Sequence, residues 1–451
     1  AYADKYLLGA SVRRDGSSKF APGRKWGTFP AISLGWRVSE ESFMEDVTAI
    51  SELKIRGSYG QSGNNGLGDY QWQPLVQANN TQYPFNNTPT LGSYFNSLGN
   101  TALSWEVTTM TNIGVDLSVF DSKFDLSAEF YERYTDGLLL NVPVPISIGY
   151  SGSPLANVGA MRNKGFETAL TYNFRKGDDF NFALTGTFDI TRNNVESLAT
   201  PNATIDGGAN ADFGGFAITR TQVGQPINSF FGWQVESIFQ SQAEIDALNA
   251  KADGGFYINA NTRPGDIKFA DLNGDGKITA DDRTFLGSIL PKFSYGLNWA
   301  GNFKNFDFTM YLQGVQGNKV YNGTKVIGQG MLRLFNATTD VLNAWTPTNT
   351  DTDVPRAVSG DPNGNARTSD RFLEDGSYMR IKNLSIGYTF PASSMKNLTG
   401  NVVERLRVYV SSQNLLTLTK YTGYDPEIVG GVDFGTYPQA RTILFGLNLG
   451  F

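Results

Sequence analysis

The chain ends on Arg441-Thr-Ile-Leu-Phe-Gly-Leu-Asn-Leu-Gly-Phe451, and this stretch decides the class of fold. Apolar side chains alternate along it with small or polar ones, which is the period of a β-strand with one apolar face. Leu444 is an exception on the small and polar face. An apolar strand at an open sheet edge invites aggregation, whereas a closed barrel has no edge. A terminal strand of about ten alternating residues that ends on an aromatic is typical of an outer-membrane barrel; an inner strand of a soluble sandwich is the alternative.

The composition agrees with a barrel and removes most enzyme chemistry. The 451 residues include 50 Gly, 13% aromatic and 18% charged residues, which suits a polar lumen inside an apolar outer band. The net charge of −6 offers no basic surface for nucleic acid. The sequence has neither Cys nor His, which removes thiolate and Ser-His catalysis and most transition-metal sites. We therefore predict that the protein is not an enzyme, not even an outer-membrane hydrolase, and that it binds no organic cofactor.

The connections between the predicted strands alternate short and long. Short turns are predicted at 121–123, 175–179 and 302–305, and long loops at about 61–102, 193–291 and 315–375. Outer-membrane barrels have short periplasmic turns and long extracellular loops, whereas a soluble sandwich has no reason to sort its loops by length. No apolar run approaches the ~18 residues of a membrane helix. The alternation therefore favours an all-β, antiparallel transmembrane barrel.

Strand parity sharpens this prediction. If the last strand runs toward the periplasm, counting back through the hairpins makes strand 292–301 run inward, and counting forward makes strand 180–191 run outward. An even number of spanning strands must lie between them, and zero is the simplest number because the possible strand 229–235 is short and poorly patterned. Residues 193–291 then form one extracellular loop region, and residues 1–451 supply about twelve spanning strands.

The same alternation predicts which side chains face lipid. In strand 180–191, we expect Phe180, Phe182, Leu184 and Phe188 on the lipid side. We expect three tryptophans to belong to the aromatic girdles, with inward packing as the alternative: Trp36, Trp105 and Trp299. Five cations fall on the polar faces, where they line the lumen or pair with another domain: Arg13, Lys54, Arg56, Arg407 and Arg441. Short helices are predicted at 242–250 and 341–345.

Six motifs then carry a resemblance to a known family. They are Arg13-Arg-Asp-Gly-Ser-Ser-Lys-Phe20, Leu53-Lys-Ile-Arg-Gly-Ser-Tyr-Gly60, Asn157-Val-Gly159 with Asn163-Lys-Gly-Phe-Glu167, Asp266-Ile-Lys-Phe-Ala-Asp-Leu-Asn-Gly-Asp-Gly276, Asp375-Gly-Ser-Tyr-Met-Arg-Ile-Lys-Asn-Leu-Ser-Ile-Gly-Tyr388 and Val410-Ser-Ser-Gln-Asn-Leu415. Each is weak alone, but together they span essentially the whole chain in family order. The chain resembles the C-terminal part of the SusC/RagA-type TonB-linked outer-membrane proteins of Bacteroidetes.

The resemblance implies a function and a set of partners. Family members have a 22-stranded barrel in the outer membrane, filled by an N-terminal plug that a TonB-box segment couples to the inner-membrane energy machinery. A SusD-like lipoprotein forms a lid, and the imported substrates are oligosaccharides or peptides. The sequence shows no signal peptide, TonB box or plug and about ten strands fewer, so we expect a C-terminal portion of a nutrient importer. A passive porin-like channel or a surface adhesin is the alternative.

Two groups of residues are candidate contacts for substrate and for the assembly apparatus. Tyr421, Tyr424, Asp425 and Glu427 could contact substrate by aromatic stacking and hydrogen bonding, and packing within their own loop is the alternative. The resemblance implies that Phe451 is the terminal aromatic that the barrel assembly machinery recognises.

An acidic loop fits the twelve-position calcium pattern of EF-hands, with one change. The ligands would be the side chains of Asp271, Asn273, Asp275 and Asp282 and the backbone carbonyl of Lys277. Thr279 would contribute its side chain or a bridging water, and Gly276 would occupy the sharp turn. Asp282 stands where EF-hands usually have Glu, as in dockerin-type loops. We expect Ca²⁺ in a structural role; the alternative is a set of Asx and Gly turns without a metal, which needs the same residue types.

Overall fold

The first part of the chain is built from nine strands, most of them long. The computed structural model describes residues 1–142, 147, 153–177, 179–209, 214–333, 336–400 and 402–451. The strands are β1 Tyr6–Gly16, β2 Trp26–Arg37, β3 Ile50–Asn64, β4 Leu75–Phe85, β5 Thr88–Ser97, β6 Glu106–Val119, β7 Phe124–Asn141, β8 Leu155–Lys176 and β9 Phe180–Ser197. Short 3₁₀ helices at Val38–Glu40 and Ser42–Met44 lie between β2 and β3.

The second part alternates long strands with short strands and helices. The strands are β10 Thr204–Gly207, β11 Thr219–Gln222, β12 Ser229–Gly232, β13 Val235–Ile238, β14 Ile267–Phe269, β15 Thr284–Gly287, β16 Phe293–Phe303, β17 Phe306–Gln316, β18 Lys319–Asn322, β19 Leu373–Asp375, β20 Tyr378–Thr389, β21 Arg405–Thr419, β22 Val432–Asp433 and β23 Thr442–Gly450. The α-helices are α1 Gln242–Asn249, α2 Gly323–Gln329 and α3 Ala392–Thr399. The 3₁₀ helices are Ala280–Asp282, Thr339–Asn343, Asp370–Phe372 and Val429–Gly431.

Twelve of these strands form one sheet in the order β1-β2-β3-β6-β7-β8-β9-β16-β17-β20-β21-β23. The number of strands in this sheet agrees with the prediction of about twelve. Among the described residues, no strand of the sheet lies between 180–191 and 292–301, as predicted, because β9 and β16 are neighbours in the order. The chain divides into two compact units: Ala1–Asn173 with Asp189–Thr204 and Gln222–Gln225, and Phe174–Phe188 with Ile205–Thr221 and Pro226–Phe451. No helix in the described ranges is long and apolar enough to cross a bilayer.

The two faces of the sheet differ in polarity within the first unit. Ile113, Phe130 and Phe166 lie side by side in the register of β6, β7 and β8, and all three are exposed. Tyr131, on the other face, hydrogen-bonds through its hydroxyl to Thr191 Oγ1 over 2.7 Å. An exposed apolar row on one face and hydrogen-bonding side chains on the other is the arrangement of a membrane strand between lipid and a polar interior.

This contact agrees with the predicted orientation of β9, in which the four apolar side chains face lipid; their lipid contact stays a prediction. Thr191 shares a face with Tyr131. Since successive side chains alternate, Phe180, Phe182, Leu184 and Phe188 project from the opposite face. In the second unit, Phe182 contacts Trp299 with ring centroids 6.4 Å apart, and Phe180 contacts Phe303 at 5.7 Å. These aromatic pairs add attraction between neighbouring strands beyond the area they bury.

Strands β7, β8 and β9 are long, with 18, 22 and 18 residues, and β9 continues beyond the predicted range 180–191 to Ser197. On the face that carries Phe130 and Phe166, the next positions toward the long loops are charged. Arg162 there forms ion pairs with Glu132 and with Glu196, the latter over 2.8 Å, and Lys164 pairs with Glu132 over 3.0 Å. Four charged side chains this close together would be strongly unfavourable in contact with lipid hydrocarbon. The apolar band therefore ends here, and the strands continue beyond the lipid.

The long loop predicted at about 61–102 begins slightly later and contains a hairpin that the sequence analysis did not predict. Strand β3 continues to Asn64, and β4 and β5 form a separate hairpin. Asn86 and Asn87 connect the hairpin with φ of 48° and 60°. Two consecutive residues in the left-handed region form a turn whose twist matches that of the strands, and Asn tolerates this conformation.

The loop region 193–291 has more internal structure than the sequence predicts. The helix at 242–250 is confirmed as α1, whereas the possible strand 229–235 is two strands, β12 and β13, separated by Trp233 and Gln234. The helix predicted at 341–345 is a 3₁₀ helix, Thr339–Asn343, and α2 and α3 were not predicted. Two clusters of buried apolar side chains stabilise these segments. One contains Ile218, Phe230, Tyr321, Val326, Ala366 and Phe372, and the other contains Trp233, Phe239, Ile245, Tyr257, Ile267, Phe269 and Ile278.

We predict that a charge is tolerated on only one face of β6. Ile113, 63% exposed, projects from the apolar face, and Asn112 lines a cavity of about 760 Å³ on the other. An Arg that faces the bilayer midplane costs ~2–4 kcal/mol, so Ile113→Arg should lower the amount of folded protein in the outer membrane. Asn112→Arg, one residue away, should stay close to wild type. Heat-modifiable electrophoretic mobility of isolated membranes measures both variants; equal losses would contradict this assignment of the faces.

Candidate functional site

The polar face of the first unit contains an open cavity of about 760 Å³. Small or uncharged polar side chains form much of its wall, including Ser11, Ser33, Ser58, Thr108, Asn112 and Asn163. A second cavity of about 410 Å³ shares Ser33, Ser58 and Asn112 and adds Lys54 and Arg56. A wall of hydroxyls and amides can hydrogen-bond to many partners without a strong charge preference.

Four of the five cations predicted on polar faces form ion pairs within their own unit. Arg56 Nε lies 3.2 Å from Asp116 and its Nη1 contacts Glu129, while Lys54 is 4.0 Å from Asp116. Arg407 pairs with Asp307 over 2.5 Å, and Arg13 with Asp15 over 2.7 Å. For Lys54, Arg56 and Arg407 the carboxylate lies on another strand. Asp116 is on the neighbouring strand β6, whereas Glu129 and Asp307 are each two strands away from the cation in the sheet.

The tryptophans divide between the two predicted environments. Trp36 and Trp299 are exposed on their strands, as girdle residues would be. Trp105 packs instead against Phe20 and Phe29, with ring centroids 5.3 and 5.6 Å apart. Its Nε1 donates to the carbonyl oxygen of Lys25 over 3.3 Å. For Trp105 the girdle prediction is wrong, because it lies just before β6 and its ring packs on a buried apolar cluster that contains Phe20, Leu67 and Leu103.

Three of the four predicted substrate contacts are engaged within the protein. Arg380, 3% exposed, donates to Asp425 over 2.8 Å and to Glu427 over 2.7 Å. Glu427 also accepts hydrogen bonds from the Tyr378 hydroxyl, over 2.8 Å, and from Lys382, over 2.7 Å. Asp425 and Glu427 therefore fix their loop to β20, as in the alternative of loop packing.

Tyr421 is also held internally. It is buried, and its hydroxyl donates to Asp433 over 2.5 Å. Burial, together with this hydrogen bond, raises the pKa of Tyr421. Burial opposes ionisation of Asp425, but Arg380 and the backbone N–H groups of Glu427 and Gln439 outweigh it and lower the pKa of that carboxyl. This pair of tyrosine and carboxylate anchors secures the loop on both sides of Tyr424.

Tyr424 differs from the other three residues because its side chain is exposed. It lies at a cavity of about 550 Å³, within the range of small-molecule sites, between the loop 317–377 and the loop that follows β21. Of the four predicted contacts, only Tyr424 is described as lining it; a substrate role for this residue stays a prediction.

The acidic loop is closed by hydrogen bonds between side chains and backbone. The two oxygens of Asp271 accept from the N–H groups of Gly274 and Gly276, over 2.7 and 2.8 Å. Asp282, fully buried, accepts from Leu272 N over 3.0 Å and from Thr279 N over 2.7 Å. Asn273 accepts from Asp275 N, and Asp275 from Lys277 N.

This geometry is that of Asx turns, the alternative to the calcium site. In the described parts of the chain, no three acidic side chains are gathered closely enough to hold a metal ion. A calcium ion would require these carboxylates to turn toward one point, and calcium binding stays a prediction.

The sequence did not single out Arg380, which organises the site. Its partners lie 45 and 47 residues away, and no local period connects them. A second connection of this kind joins Arg356 to the buried Asp266 over 2.7 Å, across 90 residues.

Phe451 is exposed at the end of the last strand, and its role in assembly stays a prediction.

We predict that Arg380 is required for order in the loop 420–441. Arg380→Met would leave Asp425 and Glu427 without their main cation, and removal of one partner of a buried pair costs roughly 3–5 kcal/mol. Limited proteolysis should cut the variant within this loop faster than the wild type. Lys382→Met, which removes a more exposed partner of Glu427, should have a much smaller effect. Equal protease resistance of both variants would contradict the prediction.

The contacts of Asp425 also predict how the stability of the loop 420–441 changes with pH. Because the pKa of Asp425 is lowered, its stabilising contribution is present above the unfolded-state pKa and is lost as the pH falls through the lowered value. The loop should become protease-sensitive on acidification, and Arg380→Met should show less of this change.

The calcium prediction can be tested against the Asx turns directly. If Ca²⁺ binds, millimolar CaCl₂ should protect the segment 271–282 from proteolysis, and Asp271→Asn should weaken this protection because it removes a charged ligand. Asp253→Asn is the control. Asp253 is exposed and lies outside the motif, although its carboxylate pairs with Lys277. If CaCl₂ does not change the proteolysis of the wild-type segment, the calcium prediction fails and the loop is a set of Asx turns without a metal.

Comparison with known proteins agrees with the geometry. Residues 1–415 match the family model described as "TonB dependent receptor-like, beta-barrel". TonB-dependent receptor P3 of Formosa agariphila is 34% identical over 469 residues, which cover 100% of this chain and 44% of that protein. TonB-dependent receptor SusC of Bacteroides thetaiotaomicron is 31% identical over 471 residues, covering 99% and 42%.

A solved structure shows the same fold. The structure of the RagAB peptide transporter matches with a TM-score of 0.80 and 27% identity, over 99% of this chain and 46% of that chain. The chain thus spans less than half the length of the relatives that it matches. The resemblance to the SusC/RagA type is confirmed, and so is the outer-membrane location. The chain belongs to the family of TonB-dependent receptors, in whose β-barrel its twelve-stranded sheet lies.

Proposed function

We propose that the protein to which this chain belongs imports oligomeric nutrients across the outer membrane. The chain would supply strands of the transmembrane wall and the long extracellular loops. The observation that carries this proposal is the match of 99% of the chain to a structure titled as a peptide transporter, at a TM-score of 0.80. A polar face lined by hydroxyls and amides supports it, because a hydrated solute can pass such a surface.

The proposed partners follow from the same relatives. Similarity to SusC and to the RagAB transporter supports a SusD-like lipoprotein as lid and energy coupling through TonB. The packed clusters in the loop regions support this idea, since ordered loops offer a preformed surface for a lid. We also propose that the barrel assembly machinery recognises the exposed Phe451. Calcium, if bound by 271–282, would order one of these loops.

Active import is favoured over the alternatives. The relatives are named as TonB-dependent receptors, which does not favour a passive channel or an adhesin. They are receptors and transporters rather than enzymes, and a sequence without His and Cys has few means of nucleophilic or acid–base catalysis. We propose that the chain has no enzymatic activity.

Energy dependence of uptake tests the proposal. Fluorescently labelled mixtures of neutral oligosaccharides and of oligopeptides would be offered to wild-type cells and to cells that lack the gene. We expect uptake of one mixture that requires both the gene and a proton-motive force. Loss on addition of an uncoupler, reversed by washing, would show active import. Gene-dependent uptake that persists with uncoupler would indicate a passive channel, and unchanged uptake without the gene would overturn the proposal.

A further inference from the structure

The cavity beside Tyr424 has a polar floor, which includes the last residue of one short strand, β18. Strand β18 lies between β19, with which it pairs antiparallel, and β22, with which it pairs parallel. Asn322, at the end of β18, lines the cavity together with Gln329 of α2, Asn343 and Thr422. Because both edges of β18 are paired, β18 itself offers no free edge to which a peptide backbone could add.

The polar groups of the floor are held in place before any ligand arrives. Glu374 accepts from the Thr422 hydroxyl over 2.8 Å and from Asn322 Nδ2 over 3.1 Å. Gln329 Nε2 donates to Asp340 over 2.8 Å, and Asn343 Nδ2 donates to Thr352 over 3.2 Å. Groups fixed in this way lose little side-chain entropy when they bind a ligand.

The charge of the cavity disfavours anionic ligands. Among the described residues that line it, Lys325 is the one cation, and its ammonium lies 3.9 Å from Glu374. Asp340 and Asp353 also line the cavity, and both are exposed. Behind the wall, Arg371 lies 3.9 Å from Asp353 and donates to Gln329. The carboxylates of Asp340, Asp353 and Glu374 outnumber the two cations, Lys325 and Arg371, so a phosphate, sulfate or uronate group would meet a net negative charge.

One aromatic residue, Tyr424, lines this polar cavity. Tyr424 is 72% exposed, although its neighbours in the loop are fixed by the contacts of Tyr421 and Asp425. A Cβ atom at Gly423 would come within 2.4 Å of the Tyr421 ring, so a glycine is required for this close turn. Val354 is the one aliphatic side chain in the described wall, and it is buried. The cavity thus lacks the apolar pockets that would bind peptide side chains.

We propose that this cavity binds a neutral segment of an oligosaccharide. The apolar C–H face of a sugar ring would stack on Tyr424, and its hydroxyls would exchange hydrogen bonds with the fixed amides and hydroxyls below. Hydroxyls both donate and accept, as do the Asn, Gln and Thr side chains that line the floor. This inference rests on the proposed function, since it names the substrate class of the importer.

Binding to the complete transporter, purified in detergent, tests the proposal. The probes are four neutral hexasaccharides (β-1,3-glucan, α-1,4-glucan, β-1,4-xylan and β-1,4-mannan), an oligogalacturonate and an uncharged decapeptide, measured by calorimetry. We expect at least one hexasaccharide to bind, and Tyr424→Ala to weaken it about tenfold. Tyr437→Ala is the matched control, because Tyr437 is in the same loop, is 88% exposed and is not among the residues that line the cavity.

The outcomes separate this inference from the proposed function. Binding of a hexasaccharide that Tyr424→Ala weakens and Tyr437→Ala leaves unchanged supports it. Equal affinities of the two variants, binding of the decapeptide or the galacturonate alone, or no binding of any hexasaccharide overturns it. In that case, energy-dependent uptake of oligopeptides by intact cells would still support the proposed import function, although the proposed oligosaccharide site would be wrong. Since the Tyr424 side chain is exposed, unaltered heat-modifiable mobility should show that Tyr424→Ala folds.

Discussion

Backbone pairing between strands is the interaction on which the rest of this structure depends. Inside a bilayer no water is present to satisfy peptide N–H and C=O groups, so each must bond to a neighbouring strand. Long uninterrupted ladders meet this requirement, such as that between β6 and β7, which continues from Val107 opposite Asp136 to Val119 opposite Phe124. Because pairing fixes the register, it also fixes which side chains face lipid. A shift of one residue would turn Ile113, Phe130 and Phe166 to the polar side.

Beyond the apolar band, side chains take over the stabilising role. The ion pairs of Arg162 with Glu132 and Glu196 are on the same face as the lipid-facing rows but closer to the long loops. There the strands continue in water, where the sheet no longer needs an apolar exterior. The loops are then stabilised as soluble domains are, by buried apolar clusters such as the one around Phe239 and Phe269.

The candidate site depends on one buried cation. Arg380 is in β20 close to a bulge at Lys382, where pairing with both neighbouring strands skips a residue. It reaches Asp425 and Glu427 and so fixes a loop that would otherwise be free to move. An ion pair of this kind adds little net stability compared with apolar packing, but loss of one partner is costly. Its effect here is to determine where Tyr424 stands.

The sequence by itself determined the class of fold, the number of spanning strands and their faces. These properties repeat every two residues or follow from the order of short and long connections, as in Phe180 to Ile190 of β9, and can be read along the chain. Only the tertiary structure decided the environment of Trp105, the hairpin β4–β5, the clusters in the loops and the engagement of Tyr421, Asp425 and Glu427. Such contacts join residues tens of positions apart, as Arg380 and Asp425 are, and no local period encodes them. In the acidic loop the same Asp, Asn and Gly residues suit a metal or Asx turns, and side-chain orientation alone distinguishes the two.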